Sequence, residues 1–120
     1  MKKIILSILL VSLPIKVYCE PALISGAGTA KCSEYNSVPS EQQETVFFTW
    51  MQGFLTASNI VNRHDSHFYI DLGNSNYNNV YQKGLLDMLC QQNPNEEVYL
   101  QGLKILIQLQ RIGLTVRASD

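Results

Sequence analysis

The sequence predicts an all-α fold: a small compact helical domain of three to four main helices with one long-range disulfide, after a cleaved N-terminal signal peptide. Three observations predict it. Apolar residues recur at three- and four-residue spacing over Ser40–Asn62, Tyr77–Gln92 and Pro94–Ile112, which places each set on one face of a helix. Residues 1–19 have the order of a secretory signal, a charged start, an apolar run and a small or apolar cleavage region. After its removal Cys32 and Cys90 remain, an even number in an exported domain, and they are expected to pair.

In the signal, Lys2 and Lys3 precede the apolar run Ile4–Val11, and Val17-Tyr18-Cys19 precede a cut before Glu20. The run falls short of the about 20 apolar residues that span a membrane. Lipid attachment at Cys19 is disfavoured by Tyr18, because acylated signals carry a small residue before the cysteine. Residues 20–120 are left as a single domain, expected in the periplasm. Removal of Lys2, Lys3 and Lys16 leaves six basic and ten acidic residues, 6 − 10 = −4. No run of Lys or Arg stands in the sequence, so neither nucleic acid nor a membrane surface is expected as a partner of the mature domain.

Glu20–Val38 opens with Gly26-Ala27-Gly28-Thr29 and lacks helical or strand periodicity over most of its length, so it is expected to be an arm that Cys32 tethers to the body. The bridge to Cys90 would restrict the unfolded chain by about 4 kcal/mol in the chain-entropy model. Gly-x-Gly here makes no phosphate loop: no strand precedes it and no Lys-Ser/Thr completes it.

The central helix starts at Pro39-Ser40, with Ser40 and Gln43 spaced as a capping box. Its stripe is Val46, Phe47, Trp50, Met51, Phe54, Leu55 and Val61. Trp50 and Phe54 are the expected core anchors, burial of each such ring contributing roughly 1.5–3 kcal/mol. Gly53 and Ala57, four residues apart, are expected to form a small patch for close helix packing. A polar connection, Arg63 to Asn79, follows. It holds His64, Asp65, His67 and Tyr69, and its Phe68-Tyr69-Ile70 run is either a short extended segment or a plug on the core. His64 and His67 supply at most two ligands where zinc wants three or four, so no metal site is expected.

In the third stretch Tyr77, Val80, Tyr81, Leu85, Met88 and Leu89 recur at helical spacing, with Gly84 on the packing side and Cys90 near the end. Asn93 is placed to cap a last helix whose first residue is Pro94, with Glu96 and Glu97 in its first turn. That helix is apolar over more than half its circumference. Either it is buried between two other helices or it leaves an apolar strip for a partner. Gly113 ends it, and Leu114-Thr115-Val116 form a short extended tail.

Catalytic groupings are absent from the sequence. There is no Gly-x-Ser-x-Gly turn, and Glu41, Glu44, Asp87, Glu96 and Glu97 fall at helix starts or polar faces, where dipole and solvent account for them. The chain is therefore expected to be no enzyme and to carry no cofactor.

Three motifs together carry a resemblance: GAGTAKCSEY (26–35), WMQGFLTASN (50–59) and CQQNP (90–94). Over essentially the whole mature chain the sequence resembles the Rap1a/Tai family, small exported helical proteins of Gram-negative bacteria, some of them immunity proteins against type VI secretion amidase effectors. It departs from the family pattern where Ala30-Lys31 separate Gly-Thr from the first cysteine, and where Leu85 and Leu89 replace aromatic residues before the second. The resemblance implies an immunity or inhibitor protein that binds another envelope protein, a peptidoglycan amidase, and occludes its cleft; a homodimer is compatible with it. The polar connection, with His64, Asp65, His67 and Tyr69, is the candidate partner-binding loop, combining hydrogen-bonding groups with one aromatic anchor. A periplasmic chaperone similar to HdeA and HdeB is the alternative, as is an exported structural protein. The mature chain's sixteen charged residues would drive acid expansion poorly.

Overall fold

The computed structural model describes residues 25–112 and 115–118. The expected signal at 1–19, the expected start of the mature domain at Glu20 and the expected helix stop at Gly113 lie outside the described residues. Those described form an all-α domain of four helices with a two-stranded ribbon at one end. Helix α1 is Cys32–Ser37. Helix α2 begins as an α turn at Ser40–Gln42, passes through a π-helical stretch at Gln43–Phe48 and continues as Thr49–Ser66. Helix α3 is Asn79–Gln92 and helix α4 is Val98–Arg111. Strands β1, Phe68–Ile70, and β2, Thr115–Arg117, pair antiparallel with Tyr69 opposite Val116. The run whose conformation the sequence left open is thus a strand, and the extended tail is its partner.

The stripe of α2 sits in the core through Phe47, Met51 and Leu55, joined by Phe48. A π turn is wider than an α turn, so consecutive residues are separated by a smaller angle, and Phe47 and Phe48 both reach the core. The capping box does not form. Pro39 occupies the cap position, and Gln43 instead donates its Nε2–H to the Tyr35 carbonyl at 3.0 Å, fastening α1 to α2. At its other end α2 continues beyond Asn62 to Ser66, where His67 takes a left-handed conformation (φ 61°, ψ 15°) and donates its N–H to the Arg63 carbonyl. His64 and Asp65 therefore belong to the last helical turn, not to a loop.

What was expected as a loose arm is folded in its described part. Gly26–Thr29 is a 3₁₀ turn, and α1 follows it. Cys32 and Cys90 form the expected disulfide, Cα atoms 4.8 Å apart, linking α1 to α3. Around it the backbone is laced to the α3–α4 connection: Cys32 N–H donates to the Glu96 carbonyl at 2.8 Å, Ser33 N–H to Pro94 at 2.7 Å, and Val98 N–H to Ala30 at 2.9 Å. Lys31 adds an ion pair to Glu97 at 2.6 Å. These bonds move the start of α4. A helix beginning at Pro94 needs Val98 N–H to bond the Pro94 carbonyl; here it goes to Ala30, and α4 starts at Val98 with Glu97 as its cap.

The core centres on Tyr35, Met51, Leu55, Leu86, Ile105 and Leu109. Gln82 is fully buried among them, and its amide is satisfied by the Tyr77 carbonyl (2.8 Å) and by Gln52 Nε2 (2.8 Å). Trp50 and Phe54 are not at the centre but at its flank. They are partly buried, stacked with centroids 5.8 Å apart, and the indole N–H donates to the Ser25 carbonyl at 3.0 Å. Positions 47, 51 and 55 point inward, which turns 50, 54 and 61 toward the edge. Neither Gly53 nor Gly84 packs against a helix; both are exposed with open space around them. Close helix approach is made instead by Gly102, against Phe54 and Met51. On α3 the buried stripe is Gln82, Leu85, Leu86 and Cys90, leaving Val80 and Met88 exposed.

Candidate functional site

Helices α2 and α4 lie side by side, Gly102 against Met51 and Phe54, and Gln110 beside Val61 and Asn62. The apolar excess of α4 is divided between two environments. Val98, Ile105 and Leu109 are buried, whereas Leu106 is only partly covered and Leu103 and Ile107 face solvent. Beside Leu106, Phe54, Ala57 and Val61 of α2 complete an open apolar groove of about 430 Å³, ending at Asn62 and Gln110. Val61 is 56% and its neighbour Ile60 66% exposed, so the groove has an apolar rim.

Past Asn62 and Gln110 the lining mixes polar side chains with Phe68 and Ile70. The same two residues line a hollow of about 130 Å³ with Ser66, Tyr69 and Thr115, floored by Ile70. Strand β1 is held there by Asn59, which accepts the Ile70 N–H at 2.8 Å and donates to the Ile70 carbonyl at 2.7 Å. A side chain thus completes the edge that β2 leaves open. Of the four residues expected in a partner-binding loop, Tyr69 borders this hollow and is half-buried. His64 and Asp65 are exposed on the last turn of α2 and bond each other at 2.8 Å; His67 serves as the helix terminator. They share one end of the molecule without converging on one point. Among the described residues no group of three or more His, Cys, Asp or Glu is placed to hold a metal ion.

The fold also gathers charges that are scattered in the sequence. Arg63 lies in the last turn of α2, Arg111 ends α4, and Arg117 pairs across the ribbon with Phe68, so all three arginines lie toward the ribbon end. Cations at helix C-termini are favoured by the helix dipole, which accounts for the first two but not for Arg117. Among the described residues none of the three has an ion-pair partner, while each lysine does: Lys31 with Glu97, Lys83 with Asp87 and Lys104 with Glu96. Helix lengths, not sequence neighbourhood, bring these residues to one end.

A second concavity, between α2 and α3, is self-satisfied. The buried Tyr35 hydroxyl donates to Asp87, and Lys83 closes the group 2.7 Å from Asp87 and 5.5 Å from the Tyr35 ring centroid. Burial, then the hydrogen bond and the charge of Asp87, push the Tyr35 phenol well above its ordinary value of 10.0. This network fastens α1 to α3. Glu96 is held below its usual range by hydrogen bonds from Gln101 and Lys104, and Glu97 by one from Lys31, which keeps both charged beside the α4 N-terminus. Compared with protein-family models, with curated proteins and with solved structures, the chain matches none.

Proposed function

We propose that this is an exported envelope protein that acts by binding another protein and performs no chemistry of its own. The observation that carries this is the open apolar groove between α2 and α4, lined by Phe54, Ala57, Val61 and Leu106. Such a groove beside partly exposed Trp50 and Phe54 has the aromatic content of an interface hot spot. Rigidity helps as well. The Cys32–Cys90 bridge and the Asn59 clamp hold the surrounding frame, so little must be ordered on association. The disulfide suits an oxidising compartment and, with the expected signal at 1–19, supports periplasmic residence.

On the resemblance to the Rap1a/Tai family the partner is a peptidoglycan amidase effector, inhibited by occlusion of its cleft. The test is capture from periplasmic extract with the mature protein, followed by amidase assays on mixing. Recovery of a stoichiometric partner whose activity falls is the expected outcome. A protein that remains partnerless while turning over a substrate would contradict it.

A further inference from the structure

We infer that the hollow bounded by α2, α4 and the ribbon is a subsite for one ring of a neutral sugar. The inference goes beyond the protein-binding role and does not rest on it. The lining comes from three elements. Asn62 and Ser66 stand one turn apart at the end of α2, Gln110 stands at the end of α4, and Thr115 lies opposite Ile70 in the ribbon register. Side chains alternate along a strand and paired residues share a face, so Phe68, Ile70 and Thr115 lie on one side of the ribbon, the side that closes the hollow.

The chemistry of this lining selects its ligand. Every side chain in it is uncharged, and the carboxamides of Asn62 and Gln110 and the hydroxyl of Thr115 each both donate and accept. Among the described residues these three side chains have no hydrogen-bond partner, whereas the amides of Asn59, Gln82 and Gln101 are taken within the fold. Ser66 donates to the Asn62 carbonyl at 2.8 Å and keeps its lone pairs for a further donor. A charged ligand would lose water here and meet no counter-charge. A purely apolar one would cover the amides and the hydroxyl without pairing them. A peptide strand is disfavoured as well, because Ile70 at the floor has both its N–H and its carbonyl taken by Asn59 and offers no backbone groups for strand addition. What remains is a neutral molecule with several hydroxyls and an apolar C–H face, the latter for Phe68, which is 45% exposed. A pyranose has both. The volume of about 130 Å³ is roughly four times that of a liquid water, which suits one ring and not a chain. The Asn59 clamp and the bond from Ala118 N–H to the His67 carbonyl at 2.8 Å hold the ribbon in place, so little must be ordered on binding.

The test titrates isotopically labelled mature protein with N-acetylglucosamine, glucose, acetate and tetramethylammonium in turn, read by backbone and side-chain amide NMR. The sugars are expected to give saturable shifts at Asn62, Gln110 and Thr115, with a Kd on the order of millimolar, as suits a few neutral hydrogen bonds made in competition with water. The ions should give none there. Asn62→Ala and Gln110→Ala should each weaken the sugar by roughly two- to ten-fold, the worth of one such bond. If purified peptidoglycan sediments the protein and N-acetylglucosamine releases it, the ring belongs to a glycan strand; if only the free sugars shift the signals, it belongs to a soluble sugar, and the inference stands in both cases. Equal responses to the ions, shifts spread over the surface, or sugar shifts untouched by both alanine changes would overturn it. Absence of sugar shifts with partner capture intact strikes this inference alone and leaves protein binding standing.

Discussion

The benzo ring of Trp50 covers Gly28, occupying the space in which a side chain at that position would start. Gly28 is buried, and Ser25 accepts the indole N–H just upstream, so the 3₁₀ turn at Gly26–Thr29 and the flank of α2 are locked through one ring. Gly28→Ala is expected to cost about 1–3 kcal/mol, the range for overpacking. Trp50→Ala is expected to cost about 1.5–3 kcal/mol, less than for a ring at the core centre because the indole is only partly buried. Urea unfolding of both single variants and the double variant checks the contact. The double variant should cost less than the sum, since alanine at 28 does no harm once the ring is gone. Strict additivity would place the ring elsewhere.

Removal of the Cys32–Cys90 bridge by paired serine substitutions is expected to cost about 2–5 kcal/mol. The loss should be local first. Amide exchange at Cys32, Ser33 and Val98, whose N–H groups bond across the α1 and α4 starts, should accelerate before exchange in α2 does. Uniform acceleration would mean that the bridge acts only through the unfolded chain.

Alkaline stability should depend on Tyr35. Its folded pKa is raised above its unfolded value of 10.0, so the neutral phenol's contribution is fully present below about pH 10 and is lost as pH rises from there toward the folded value. Tyr35→Phe removes a hydroxyl that Asp87 accepts, lowering stability at neutral pH by about 0.5–1.5 kcal/mol, and it should flatten the decline above pH 10. An unchanged alkaline slope would assign that decline to other groups.

His67 is expected to act through its backbone. A side chain in the left-handed region costs roughly 1–2 kcal/mol and glycine pays part of that back as unfolded-chain entropy, so His67→Gly should stabilise the domain by about 0.5–1 kcal/mol. Partner capture should be unchanged. Loss of capture would return the imidazole to the binding surface.

Helix stripes were legible because Met51, Leu55, Leu86, Ile105 and Leu109 recur at the helical period and meet in one core. The disulfide was legible from the cysteine count that the expected signal removal leaves. What the sequence hid depends on contacts between distant residues. Helix α1, six residues long, has no periodic signal and is held by Cys90, Pro94 and Glu96. The start of α4 moved because Ala30 takes the Val98 N–H, and the expected capping box was lost because Gln43 reaches Tyr35. Among the described glycines, the one that packs helices is Gly102, which nothing in local pattern distinguishes from Gly53 or Gly84. The placement of Arg63, Arg111 and Arg117 toward one end was invisible for the same reason: it follows from where α2, α4 and β2 end.

The most direct measurement of the central claim is site-specific photo-cross-linking in cells producing the full-length chain. Benzoylphenylalanine is placed either at Val61, in the groove, or at Thr56, exposed on the opposite side of α2. A partner seated in the groove predicts one dominant adduct from Val61, absent from Thr56 and lost when Leu106→Glu is added. Equal adducts from the two positions, or none from Val61, would contradict it.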